Sequence, residues 1–168
     1  MISEKSINIL SHEAFKIARD NKFSFAPDEK TQARLSCGIR GELHEALEVL
    51  EQGREEQEVW NNVLGGKLEG FLVEIADYVL RTLSYMRSRG MEYIEQEDTL
   101  DKQDNYVMIN LLYTVIDFAF IEQTPKRFSS AVHYALQIAD FYCSDFEGVI
   151  LQKMEFNRHR GFLHGKVL

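Results

Sequence analysis

Two acidic pairs, Glu42-x-x-Glu45 and Glu74-x-x-Asp77, are set inside the apolar stretches RLSCGIRGELHEALEVL and EGFLVEIADYVLRTL. At a spacing of three, both carboxylates of a pair leave the same side of a helix, one above the other. If the two helices pack together, four carboxylates converge. Burying such a group is costly unless a cation occupies it. Oxygen donors in that number suit Mg²⁺ or Mn²⁺ better than zinc. The chemistry these residue types and spacings favour is therefore the binding of a hard divalent cation.

The elements that must hold these residues read as helices. Apolar residues recur at three and four positions, strand alternation is absent, and the only prolines, Pro27 and Pro125, fall where the helical patterns break. We expect an all-α, single-domain bundle of about five helices spanning residues 1–168. The spans are about 3–21, from Pro27-Asp28-Glu29 to about 52, then about 67–89, 105–123 and 126–158, with Gly148 a weak point in the last. GREEQEVWNNVLGG is expected to be a loop or short helix, and MEYIEQEDTLDKQD a connection.

At about 100° per residue, Leu35, Ala46 and Val49 all lie within about 40° of Glu42, which places Glu42 in the apolar sector of its helix. Glu45 falls on the border of that sector, while Glu48 and Glu51 rotate toward solvent. In the third helix, Phe71, Leu72, Ile75, Ala76, Val79, Leu80 and Leu83 cover most of the circumference. They leave a narrow polar stripe of Glu74, Asp77, Arg81, Ser84 and Ser88. A helix so nearly apolar is expected to be central. Arg81 is placed to neutralise Glu74 or Asp77.

At 168 residues the chain can bury a sizeable core, and 45% hydrophobic with 27% charged residues is the balance of a soluble globular protein. A net charge of −8 argues against a broad nucleic-acid-binding surface. It does not exclude an anionic small molecule, since a bound cation reverses the local field. Cys37 and Cys143 are far apart and read as buried, reduced thiols. MISEKSINILSHEAF lacks the apolar core of a signal peptide, and no apolar run reaches membrane-spanning length, so a cytoplasmic location is expected.

Against this acidic background, KMEFNRHRGFLHGK collects Lys153, Arg158, Arg160 and Lys166 with His159 and His164 among them. Arginine forks and lysine point charges suit phosphate oxygens.

These three words together resemble the MazG-like all-α nucleoside triphosphate pyrophosphohydrolases, marked by E-x-x-E, a spacer and E-x-x-D on two packed helices. GELHEALE is similar to the second-helix signature of that group, GGKLEGFLVEIADYVLRTL to the third-helix signature, and KMEFNRHRGFLHGK to a C-terminal segment of bacterial and phage members. The resemblance covers residues 35–85 and 150–168. It implies Mg²⁺-dependent hydrolysis of a nucleoside triphosphate to the monophosphate and pyrophosphate, by a homodimer or a dimer of dimers (a homotetramer). It implies a metal set of Glu42, Glu45, Glu74 and Asp77, and contacts to substrate from Lys153, Asn157, Arg160, His164 and Lys166. Carboxylate-held metal screens the phosphates and lowers the pKa of bound water. Glu45, at the sector's edge, is a metal ligand or the group that orients or deprotonates the attacking water. The chain departs from the group at two places: Gly38 and Ile39 stand where many members carry a doubled acid, and Gly161 where a proline commonly follows the tail arginine.

Other readings carry less. A di-iron bundle normally uses Glu-x-x-His, and no histidine here has glutamate three positions before it. A non-catalytic helical dimerisation or nucleotide-binding regulatory module would keep the fold without turnover. The apolar LLYTVIDFAFI and AVHYALQIADFY of the last helices suit a subunit interface under either reading. Trp60 is expected in a core or interface role, and His12, His44 and His133 as ordinary surface or interface residues.

Overall fold

Each early helix begins where the chain supplies a capping side chain. The computed structural model describes residues 2–61 and 68–159. Helix α1 (Glu4–Asp20) starts with the Ser3 side chain accepting from the Ser6 amide. Helix α2 (Glu29–Glu51) starts with Asp28, whose Oδ1 accepts from the Thr31 amide at 2.8 Å. Such caps satisfy donors that have no partner inside the helix, each worth about 1 kcal/mol.

Between α2 and the next helix, β1 (Trp60–Asn61) and β2 (Leu68–Glu69) pair antiparallel, with Trp60 opposite Glu69. The absence of strands expected from the sequence is corrected here, because strands of two residues are too short for alternation to register. Trp60 packs against the core edge with the Arg54 guanidinium 4.3 Å from its ring centroid. Gly70 follows at φ 142°, and a Cβ there would stand 2.3 Å from the Glu58 carbonyl oxygen, so only glycine fits.

Helix α3 (Phe71–Ser88) is the axis of the molecule. Every residue from 71 to 86 is buried except Arg81, and α3 packs against α1, α2, α5 and α6. That is the central position its near-continuous apolar surface calls for. A long connection then leads to α4 (Asn105–Glu122), capped by Asp104. Gln123 adopts the left-handed conformation, Thr124 caps, and Pro125 opens α5 (Pro125–Asp140), where its missing N–H costs nothing. Helix α6 (Phe146–His159) completes six helices among the described residues, sharing one apolar core.

The single long fifth helix of the sequence reading is thus two helices. The break lies at residues 141–145 rather than at Gly148, whose amide donates to Asp145 Oδ1 at 3.0 Å and lies within α6. Asp145 there offers the backbone the cap-like bond that aspartate prefers over a helix interior.

Three further readings change. Cys37 is exposed and Cys143 half-buried, both free thiols; Cys37 lies about 140° around α2 from Glu42 and so faces solvent. His133 is buried on α5, with Nε2 2.7 Å from the Asp98 carbonyl oxygen, and helps dock the connection before α4. Helix α5 belongs to the core, whereas α4 leaves Val107, Phe118 and Ile121 exposed. No helix among the described residues is long and apolar enough to cross a membrane.

Candidate metal centre

Helices α2 and α3 lie side by side, and their facing stripes bring the first three predicted carboxylates together. One oxygen each from Glu42, Glu45 and Glu74 lies within 4.8 Å of the other two. Glu42 and Glu74 are buried, at 3% and 2% exposure, and Glu45 is half-buried at the edge. These are the burial levels that the helical positions of Glu42 and Glu45 in the apolar sector and on its border lead one to expect.

Arg81, one turn beyond Asp77 on α3, turns its Nε to Glu42 Oε1 at 2.7 Å. The sequence reading paired Arg81 with Glu74 or Asp77; the partner comes instead from the facing helix. Burial, reinforced by the charges of Asp77, Glu45 and Glu74, pushes the Glu42 carboxyl up to about 8 despite Arg81. Burial works against the charged guanidinium of Arg81 too, but the surrounding carboxylates outweigh it and raise its pKa. Burial together with several carboxylates close to one another accounts for both shifts.

Gly38, one turn before Glu42, leaves the space the guanidinium uses: a Cβ at this position would stand 3.0 Å from Arg81 Nη1. Sequence reasoning registered Gly38 only as a departure from an acidic motif. A glycine inside a helix, costing about 1 kcal/mol relative to alanine, was the signal that something lies close against it.

Asp77 falls outside the three-way group. Its Oδ2 is 2.8 Å from the Lys153 ammonium, which is fully buried, and its Oδ1 accepts from Asn157 Nδ2 at 3.2 Å. Burial alone would raise the Asp77 carboxyl; Lys153, Arg81 and the hydrogen bonds from Lys153 and Asn157 together hold it below the ordinary range. Asn157 also has its backbone oxygen bound by Asn21 Nδ2 at 2.9 Å, which links the end of α1 to α6. Of the five residues expected to contact substrate, Lys153 and Asn157 are thus engaged with Asp77. Arg160, His164 and Lys166 lie outside the described residues. Nearby Arg158 is exposed and pairs with Glu155 at 2.5 Å.

Chemically, the arrangement offers three converging carboxylates from two helices, with Arg81 paired to Glu42. The donor set is all oxygen, of the kind hard divalent cations prefer. Glu42, Glu45 and Glu74 are the residues that could together hold a metal ion. No protein-family model, curated protein or solved structure matches the chain. The functional reading therefore rests on these residues and their geometry.

Proposed function

We propose that this protein hydrolyses a nucleoside triphosphate, a deoxynucleotide or a non-standard nucleotide above all, to the monophosphate and pyrophosphate with Mg²⁺. The observation that carries the reading is the convergence of Glu42, Glu45 and Glu74 within 4.8 Å at a mostly buried position. It is supported by the order of the acidic pairs and the basic C-terminal segment, which resemble the MazG-like hydrolases.

When bound, a divalent cation supplies charge neutralisation for the phosphates and a more acidic water. The chain's own residues do the rest. Glu42 and Glu74 hold their carboxylates in place from two different helices. Glu45, at the half-buried edge, is positioned to orient the attacking water or take its proton. Arg81 aligns Glu42 through the 2.7 Å contact and offsets part of the burial that favours its protonated form. In the reaction, the water oxygen bonds to phosphorus at the anhydride linking the first and second phosphates, and pyrophosphate departs with the electron pair of the broken bond.

A homodimer or homotetramer is part of the proposal, and the exposed Val107, Phe118 and Ile121 of α4 support a subunit contact there. The free thiols and the absence of a membrane-crossing helix among the described residues agree with work in the cytoplasm.

The test is pyrophosphate release from a panel of NTPs and dNTPs, with Mg²⁺ and with chelator. Metal-dependent release supports the reading and ranks the bases. The non-catalytic module has one observation in its favour, the two ion pairs that already neutralise Glu42 and Asp77. Folded protein that releases nothing with Mg²⁺ or Mn²⁺ decides for the module.

A further inference from the structure

Helix α4 is apolar on two opposite sides, and only one of them faces the core. At about 100° per residue, Val107, Leu111, Phe118 and Ile121 all fall within about 60° of Thr114. The buried Leu112 and Ala119 lie about 140–160° away from it. On the outer side Val107, Phe118 and Ile121 are 56%, 52% and 75% exposed. A helix that is apolar all round is expected to be buried all round, so the outer stripe calls for an occupant beyond the single chain.

The stripe itself says which occupant. From Val107 through Leu111, Thr114 and Phe118 to Ile121 the spacing is four, three, four, three, the seam along which one helix lies lengthwise on another. The seam runs for about 21 Å. About Thr114 it reads nearly the same from either end, with a large apolar residue three or four positions away and another at seven. An antiparallel copy therefore sets Val107 beside the partner's Ile121, and Leu111 beside the partner's Phe118. At the centre, the Thr114 hydroxyl donates to the Asn110 carbonyl oxygen at 3.0 Å and brings no unmet donor to the seam. The only charged residues of α4, Asp117 and Glu122, already pair within the chain, with Arg40 at 2.7 Å and Arg127 at 2.8 Å. In a chain of net charge −8, that is a face on which two copies meet without like-charge repulsion. A lipid surface is the poorer match, because membrane-surface helices carry Lys and Arg and α4 has neither.

We propose that α4 pairs antiparallel with α4 of a second copy of this chain, about a two-fold axis through Thr114. The inference rests on the homo-oligomer of the proposed function, and it deepens that reading by fixing the face, the partner and the direction.

The experiment is sedimentation equilibrium of the full chain over a concentration series, with F118E and I121E beside wild type. Both substituted residues are more than half exposed in the single chain, so the variants are expected to keep the helix content and Tm of a folded protein. Wild type is expected to associate as at least a dimer, and each variant's dissociation constant to rise at least about tenfold. A wild type that stays monomeric at every concentration, whether or not it floats with phosphatidylcholine vesicles, overturns the inference and the homo-oligomer. It leaves hydrolysis to the pyrophosphate assay. Either variant, folded and associating as tightly as wild type, also overturns the inference. Direction is read by disulfide trapping in a chain whose Cys37 and Cys143 are replaced by serine. V107C mixed with I121C is expected to cross-link, whereas V107C linking only to itself overturns the antiparallel pairing.

Discussion

The two faces of α3 that carry its acids bury them equally well and treat them differently. Toward α2, Glu42, beside Glu45 and Glu74, meets a guanidinium that is 40% exposed. Toward α6, one carboxylate meets one fully buried ammonium and an amide. On the first face burial outweighs Arg81 and displaces Glu42 upward, to about 8; on the second Lys153, Arg81 and the hydrogen bonds outweigh burial and displace Asp77 downward. A buried ion pair with further hydrogen bonds holds elements together, whereas clustered carboxylates with strongly shifted pKa values are candidates for a functional site. Sequence spacing alone makes Glu74 and Asp77 look like one motif. What distinguishes them is the helix that each one faces.

The largest expected effect breaks the α2 face. E74A should lower metal-dependent pyrophosphate release by about 10³-fold, measured on protein shown to be folded by circular dichroism. A variant with normal turnover would remove the comparison altogether. Breaking the α6 face should do the reverse. K153M leaves the Asp77 carboxylate buried without its ammonium and should cost about 3–5 kcal/mol of stability, measured by urea unfolding.

A pH series sharpens the contrast. The folded-state pKa of Glu42 lies above its ordinary 4.5, so its contribution to stability is full below that value and is lost as pH rises toward about 8. Asp77 runs the other way: its contribution is present above the ordinary 3.8 and is lost as pH falls through its lower folded value. Metal-free protein should therefore be most stable in mildly acidic solution and lose about 2–4 kcal/mol toward pH 8. Saturating Mg²⁺ should flatten that decline, which parallel melts with and without chelator would show.

The smallest effect is at Gly38. G38A should gain about 0.5–1 kcal/mol from helix propensity and lose a few-fold in turnover as its Cβ pushes the guanidinium off Glu42. Unchanged turnover would show that the close approach of Arg81 is incidental.

Much of this was legible in the residues. The wrap of Phe71, Leu72, Ile75 and Val79 around α3 pointed to its central place, and the phase of Glu42 against Leu35, Ala46 and Val49 pointed to its burial. Phase gives the direction of a side chain but not its reach or its partner, which is why Arg81 was matched to its own helix. The break at residues 141–145 depends on tertiary packing of a segment with no proline, and periodicity passes over it. The same holds for Lys153, whose place in a basic segment suggested solvent and phosphate; a long side chain on the inner face of α6 finds the Asp77 carboxylate instead.

The pairing of Trp60 with Glu69 has a practical consequence. Gly70 pins the end of this hairpin under the Glu58 carbonyl, immediately before α3, and Trp60 is the only tryptophan in the chain. Intrinsic indole emission therefore reports on one place, the hairpin where it meets the edge of the core. Circular dichroism at far-ultraviolet wavelengths follows the helices as a whole, so a local and a global optical signal come from one molecule without any label being attached.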